Sequence, residues 1–251
     1  MKKLIVTILT LSLVGFSSKS SAQDTYSGTK SNLHVYLLIG QSNMAGRAKY
    51  TEKDAGPIDR CYLLNGTDQW EAAKNPLNRY STIRKGINMQ KLNPGYSFAK
   101  TMLKKQQQVS IGLIVNAKGG TKIEQWGKGT SFYKDAIQRT KAAQKSGTLK
   151  GILWHQGESN EKNPEGYLLK LQALVKNLRT DLDSPNLPFV AGQVIKVPAI
   201  NNQIAQLPSK LPATGFVSSE GLKGQDRWHF DTKSMMELGK RYAEAMLKIL
   251  K

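Results

Sequence analysis

Val35-Tyr36-Leu37-Leu38-Ile39 runs without a polar break into Gly40-Gln41-Ser42-Asn43-Met44. Five consecutive apolar residues, closed by a glycine and a polar turn, predict a strand buried on both faces, as in parallel sheets. The same pattern recurs at residues 111–116, 152–155, 189–192 and 216–218. Between these runs lie stretches of helical period. In the clearest, Asn163 can cap, Pro164 stands in the first turn, and Tyr167, Leu171, Leu174, Val175, Leu178 and Leu182 line one face. The last helix is expected over 232–250, with Met235, Leu238, Tyr242, Met246 and Ile249 inward and Asp231 or Thr232 as cap. The alternation predicts an α/β fold: a three-layer α/β/α sandwich around a central, mainly parallel five-stranded sheet.

Residues 47–94 break that rhythm, being long, mixed and rich in Gly, Asn, Asp, Pro and Tyr. Because this loop follows the first strand, it is expected at the carboxyl ends of the strands, where open α/β sheets bind ligands. Its Tyr50, Trp70 and Tyr80, with Trp126 farther on, are candidate stacking platforms, since aromatic faces offer large apolar area.

Lys2 and Lys3 precede an apolar run from Leu4 to Phe16, and small residues follow as far as Ser20-Ser21-Ala22. This is the pattern of a secretory signal peptide, with cleavage expected after Ala22 and no membrane insertion afterwards. Removing 22 of 251 residues leaves 229, a length suited to one domain over 23–251. The formal charge falls from +19 to +16, because Lys2, Lys3 and Lys19 leave together. The lysines are scattered in short groups and no nucleic-acid-binding motif accompanies them, so nucleic acid is not an expected partner. Cys61 is the only cysteine, which excludes an intramolecular disulfide and a cysteine-based zinc site. Residues 23–32 are polar and read as a loose tail.

Three polar clusters each follow an expected strand, and a fourth stands before the last helix, so all four converge on one edge of the sheet. Ser42 closes the first strand, where a serine at a tight turn can aim its hydroxyl into a cleft. Lys118-Gly119-Gly120-Thr121 follows the second, and glycine there lets backbone approach a bound oxygen. Trp154-His155-Gln156-Gly157-Glu158-Ser159-Asn160 ends the third; the Gln156 amide can donate a hydrogen bond, while His155 reads as a structural residue. In Asp226-Arg227-Trp228-His229, one turn can set the carboxylate on one imidazole nitrogen and leave the other facing Ser42.

These segments, GQSNMAG, GGTKIEQW, WHQGESN and DRWHF in that order, resemble the SGNH-hydrolase superfamily. Within it they are most similar to carbohydrate O-acetylesterases of the sialate O-acetylesterase and acetylxylan esterase (carbohydrate esterase family 6) type. The resemblance spans about residues 33–247. It implies a cofactor-free serine esterase with a flavodoxin-like sheet, which the signal-peptide pattern makes a secreted or periplasmic one. Ser42 would be nucleophile, with His229 and Asp226 completing the triad. The Ser42 N–H, Gly120 backbone and Gln156 side chain would form the oxyanion hole, with Gly119 as alternative donor and Glu158 as possible second acid. The implied substrate is an acetylated carbohydrate, either a polysaccharide such as xylan or O-acetylated sialic acid. In one departure, the third segment ends at Asn160 where the family often has aspartate.

Rival readings meet specific obstacles. An α/β-hydrolase elbow needs Gly-x-Ser-x-Gly, and Met44 takes the last position. Dispersed His34, His155 and His229 do not form a metal-hydrolase motif. A lipid or thioester hydrolase of the wider superfamily needs an apolar groove, and a noncatalytic glycan-binding protein would be expected to carry a damaged triad.

Overall fold

The computed structural model describes residues 25–251, so the expected signal peptide lies outside the described residues. The strands are β1 (Leu33–Gly40), β2 (Cys61–Leu64), β3 (Trp70–Ala72), β4 (Ser110–Ala117), β5 (Thr148–His155), β6 (Phe189–Gly192) and β7 (Thr214–Val217). They form one sheet of order β3-β2-β4-β1-β5-β6-β7. All neighbours are parallel except β2 and β3. The sheet thus has seven strands, not five. The two extra strands lie in the 47–94 segment, joined by a turn in which Asn65 Oδ1 accepts from the backbone N–H of Thr67 and Gln69.

Alternation along β1 explains the layers. Val35, Leu37 and Ile39 enter one core with Ile114, Trp126 and Trp154. Tyr36 and Leu38 enter the opposite core with Leu113, Val115 and Phe98. The α2 helix (Gly95–Lys105) and α7 (Thr232–Ile249) cover the second face, whereas α3 (Ser131–Ala143), α4 (Tyr167–Asp181) and α5 (Pro198–Ala205) cover the first. Short helices α1 (Ser42–Ala45) and α6 (Leu207–Lys210) complete the set. The three-layer sandwich is therefore as expected. Burying a large aliphatic side chain on either face contributes about 1.5–3 kcal/mol, which is why such runs resist any other arrangement.

Local differences have local causes. The α4 helix starts at Tyr167, because the backbone turns through a left-handed conformation at Gly166 (φ 68°) after Pro164. Asp231 does cap α7, its side chain accepting from the Ser234 N–H at 2.7 Å. The tail is partly built in: Tyr26 packs edge-on against Tyr62, with ring centroids 5.1 Å apart. No helix among the described residues is long and apolar enough to cross a membrane.

β1 lies between β4 and β5, so the chain departs from it first to one side and then to the other. A crevice opens at the carboxyl end of such a switch point. There Gly40 pairs with Ala117 and with His155. A Cβ on Gly40 would stand 2.1 Å from the His155 carbonyl oxygen, so glycine lets the Ser42 turn press directly on β5.

Candidate active site

Ser42 opens α1 with its side chain at the crevice. Its Oγ lies 3.0 Å from His229 Nε2, and His229 Nδ1 lies 2.8 Å from Asp226 Oδ2. The other carboxylate oxygen, Oδ1, accepts from the backbone N–H groups of Trp228 (2.8 Å) and His229 (2.9 Å). The tight turn anticipated from Asp-x-x-His thus forms, and it fixes the tautomer: Nδ1–H donates to Asp226, leaving Nε2 to accept from the serine hydroxyl. Partial burial pushes the Asp226 carboxyl up. The bonds from the imidazole and the two N–H groups outweigh that effect and hold it below the usual carboxylate range.

A cavity of about 360 Å³ sits over this pair, walled by Gln41, Arg47, Lys85, Met89, Gly119, Gly120, Glu158, Ser159 and Trp228. A Cβ on Gly119 would lie 3.3 Å from Ser42 Cβ and 2.7 Å from Arg47 Nη2, so a side chain there would crowd the nucleophile and displace the Arg47 guanidinium. The backbone N–H groups of Ser42, Gly119 and Gly120 have no acceptor among the described residues, which leaves them available to an oxyanion. Gly119, the alternative donor in the sequence, is the glycine against Ser42; Gly120 stands one residue farther, toward Lys85.

Gln156 is not presented to the cavity. It is fully buried, and its amide nitrogen already donates to Thr121 O (2.9 Å) and Asn160 Oδ1 (2.8 Å), with Gln41 Oε1 at 3.1 Å. With both hydrogens engaged, the side chain expected as oxyanion donor ties the second and third segments together. Gln41, though buried, lines the cavity: its Oε1 accepts from the N–H groups of Gly157 and Ser159, which leaves its amide nitrogen without a partner among the described residues. Gln41 stands directly before Ser42 in the sequence, and that position is the signal that marks it.

Asn160, at the departure from the family pattern, accepts from the Ile123 N–H (3.0 Å) and donates to Glu124 (3.1 Å). An aspartate there would face a carboxylate, so asparagine suits this neighbourhood. The aromatic expectations are corrected. Trp126 and Trp70 are buried, bonded to Thr121 and Ser146, and neither they nor Tyr50 and Tyr80 wall the cavity. The aromatic wall is Trp228, with the Arg227 guanidinium 4.4 Å over its ring.

His155 is buried with Nδ1 at 3.0 Å from the Tyr242 hydroxyl, and burial lowers its pKa to about 3. Glu158 lies in the cavity floor but does not bond to His229; its Oε1 accepts from Asn43 Nδ2 at 2.7 Å. Burial, opposed by a backbone bond and the Asn43 amide, pushes its pKa from 4.5 up to about 7. An acid raised in this way binds its proton more tightly when folded. The resulting penalty is absent below pH 4.5, grows between 4.5 and about 7, and stays constant above. At about 1.4 kcal/mol per pH unit, Glu158→Gln should therefore stabilise the protein by on the order of 3 kcal/mol at pH 8 and by little at pH 4.5. Melting temperatures of the two proteins across that range measure it; an equal difference at both ends would contradict the buried, proton-retaining state.

The chain is similar to known proteins over most of its length. Residues 32–248 fit the family described as carbohydrate esterase, sialic acid-specific acetylesterase. A probable carbohydrate esterase of Arabidopsis thaliana is 31% identical over 85% of this chain and 90% of its own length. An X-ray structure of an Arabidopsis thaliana protein superposes with TM-score 0.77 at 31% identity, covering 87% of this chain and 98% of that one. NanS follows with TM-score 0.71 at 16% identity (89% and 98% covered). A carbohydrate acetylesterase from Xanthomonas citri gives 0.64 at 20% identity, with 86% of this chain and 56% of that one covered. At those lower identities the likeness speaks for the fold. Matched over nearly all its described length, this chain belongs to the sialic acid-specific acetylesterase family of carbohydrate esterases and is a carboxylic ester hydrolase.

Proposed function

We propose that the chain is an exported enzyme that removes O-acetyl groups from carbohydrates, with Ser42 as nucleophile, His229 as general base and Asp226 as its orienting acid. The observation that carries this is the 3.0 Å contact of Ser42 Oγ with His229 Nε2 beneath an open cavity. Nε2 takes the hydroxyl proton as Oγ attacks the acetyl carbonyl, and Asp226 stabilises the imidazolium. Negative charge gathers on the carbonyl oxygen within reach of the Ser42 and Gly119 or Gly120 N–H groups, with the Gln41 amide as a side-chain donor. The imidazolium then protonates the leaving sugar oxygen, and water repeats the sequence on the acetyl-enzyme to release acetate.

The cavity of about 360 Å³ carries the polar side chains of Arg47, Lys85, Glu158 and Ser159 in its walls, which supports acetyl over long acyl groups. Hydrolysis of aryl esters from acetate to octanoate tests this; a preference for octanoate would move the assignment to lipid or thioester hydrolysis. Export is supported by Lys2, Lys3 and the apolar run after them. Sequencing the protein recovered outside the cytoplasm should give Gln23 as its first residue.

Acetylated xylan and O-acetylated sialic acid are the candidate substrates, and charge bears on the choice. Lys85, in the cavity wall, forms no ion pair among the described residues, and its Nζ lies 3.8 Å from where a Gly120 Cβ would be. A carboxylate on the sugar would supply its missing partner. Lys85→Ala should then raise KM for a sialate or uronate ester roughly five-fold, the worth of about 1 kcal/mol at an exposed ion pair. The effect should shrink in high salt and be absent with a neutral acetylated xylo-oligosaccharide. Equal change on both substrates would assign Lys85 no role in reading charge.

A further inference from the structure

Asn43, the residue after the nucleophile, is fully buried and makes three side-chain bonds, two of them to the His229 loop and one to Glu158. Its Nδ2 donates to Trp228 O at 2.9 Å and to Glu158 Oε1 at 2.7 Å, while its Oδ1 accepts from Phe230 N at 3.2 Å. The Trp228 carbonyl and the Phe230 N–H belong to the two peptide groups that flank His229. One amide therefore grips the backbone on both sides of the imidazole, and it is carried on the same short helix as Ser42. The loop's other tethers include its own turn, with Gln225 N–H on His229 O at 2.8 Å, a bond from the Gln225 side chain to Arg47 O, and the exposed pairing of Arg227 with Glu161 at 3.1 Å. Asp226 itself is half exposed.

We infer that Asn43 is a positioning residue that sets the distance between the reacting hydroxyl and imidazole, with Glu158 fixing which way its amide points. Rotating the amide by 180° would turn NH₂ toward the Phe230 N–H and its oxygen toward two acceptors, Trp228 O and Glu158 Oε1. With Glu158 ionised, three attractive contacts would become three repulsive ones; with it protonated, the two backbone contacts still would. A single orientation is thereby enforced, and the side chain cannot relax without carrying His229 away from Ser42. This gives Glu158 a task distinct from that of an acid on His229.

The inference rests on Ser42 and His229 being the reacting pair, and the experiment separates the two. Wild-type enzyme, Asn43→Ala and Asn43→Ser are titrated with an aryl fluorophosphonate, which counts reactive serines, and kcat and KM for an aryl acetate are measured per titrated site. Both variants are then remade on a His229→Ala background. Misplacing a catalytic group by about 1 Å costs on the order of 10²-fold. Asn43→Ala should accordingly lower kcat per site by about that factor with KM changed less than three-fold, and Asn43→Ser should fall between. Neither should lower the residual activity of His229→Ala further, because a group acting through the imidazole has nothing left to position. Counting only titrated sites removes any unfolded fraction from the comparison. Unchanged kcat per site, or an equal loss with and without His229, would overturn the positioning role. Failure of the wild-type enzyme to be labelled at Ser42 would instead overturn the assignment of the reacting pair.

Discussion

Ser42→Ala should lower turnover of an aryl acetate by roughly 10⁴- to 10⁶-fold while leaving the melting temperature within a few degrees of wild type. The expectation follows from what the hydroxyl touches. Oγ makes one side-chain bond, to His229 Nε2, and the residue is otherwise held by its backbone in α1 and by packing of Cβ against Gly119. Removing the oxygen therefore deletes the bond-forming atom and little of the fold. The N–H groups of Ser42, Gly119 and Gly120 survive in the variant and can still polarise a bound carbonyl, so a small rate above that in water should remain. Steady-state kinetics together with a thermal melt decide the matter. Turnover within ten-fold of wild type would place the nucleophile elsewhere, and a collapsed melt would make Ser42 a structural residue.

Much of this site was legible because parallel topology converts sequence into geometry. Each of the runs 35–39, 111–116 and 152–155 is long and apolar enough to be a buried strand, and in a parallel sheet their carboxyl ends must gather at one edge. The residues just after them therefore meet without any further information. What escaped was set by side-chain direction. Gln156 and Gln41 carry the same amide at neighbouring strand ends, and only packing decides that Gln156 turns inward to Thr121 and Asn160 while Gln41 lines the cavity. The strands Cys61–Leu64 and Trp70–Ala72 are too short for a period to show against their turns, and the β7 strand opens on Thr214-Gly215, which carries no apolar signal. Trp126 illustrates a related limit: an aromatic near a catalytic segment has the same letters whether it faces sugar or, as here, meets Trp154 edge-on at 5.5 Å.

Asp226→Asn should cost about 10⁴-fold in kcat, and it separates the two acids the sequence offered. Asparagine keeps an oxygen in place of Oδ1 and so can still accept the Trp228 and His229 N–H groups that shape the turn. In place of Oδ2, 2.8 Å from His229 Nδ1, it puts an NH₂ group. Two donors cannot face each other, so the imidazole shifts its proton to Nε2 and presents the Nδ1 lone pair instead. Nε2 then carries a hydrogen toward Ser42 Oγ and no longer accepts one, which disables the base while the atoms stay in place. Because the pair is partly solvated, with side chains 23% and 49% exposed, stability should change by no more than about 1 kcal/mol. Glu158→Gln makes the matched control: glutamine retains an acceptor for Asn43 Nδ2, so kcat at neutral pH should stay within a few-fold of wild type. Kinetics of the two variants measured side by side give the ranking. A 10⁴-fold loss in Glu158→Gln with a mild effect in Asp226→Asn would reverse it and make the buried carboxyl, not the one in the exposed turn, the partner of the imidazole.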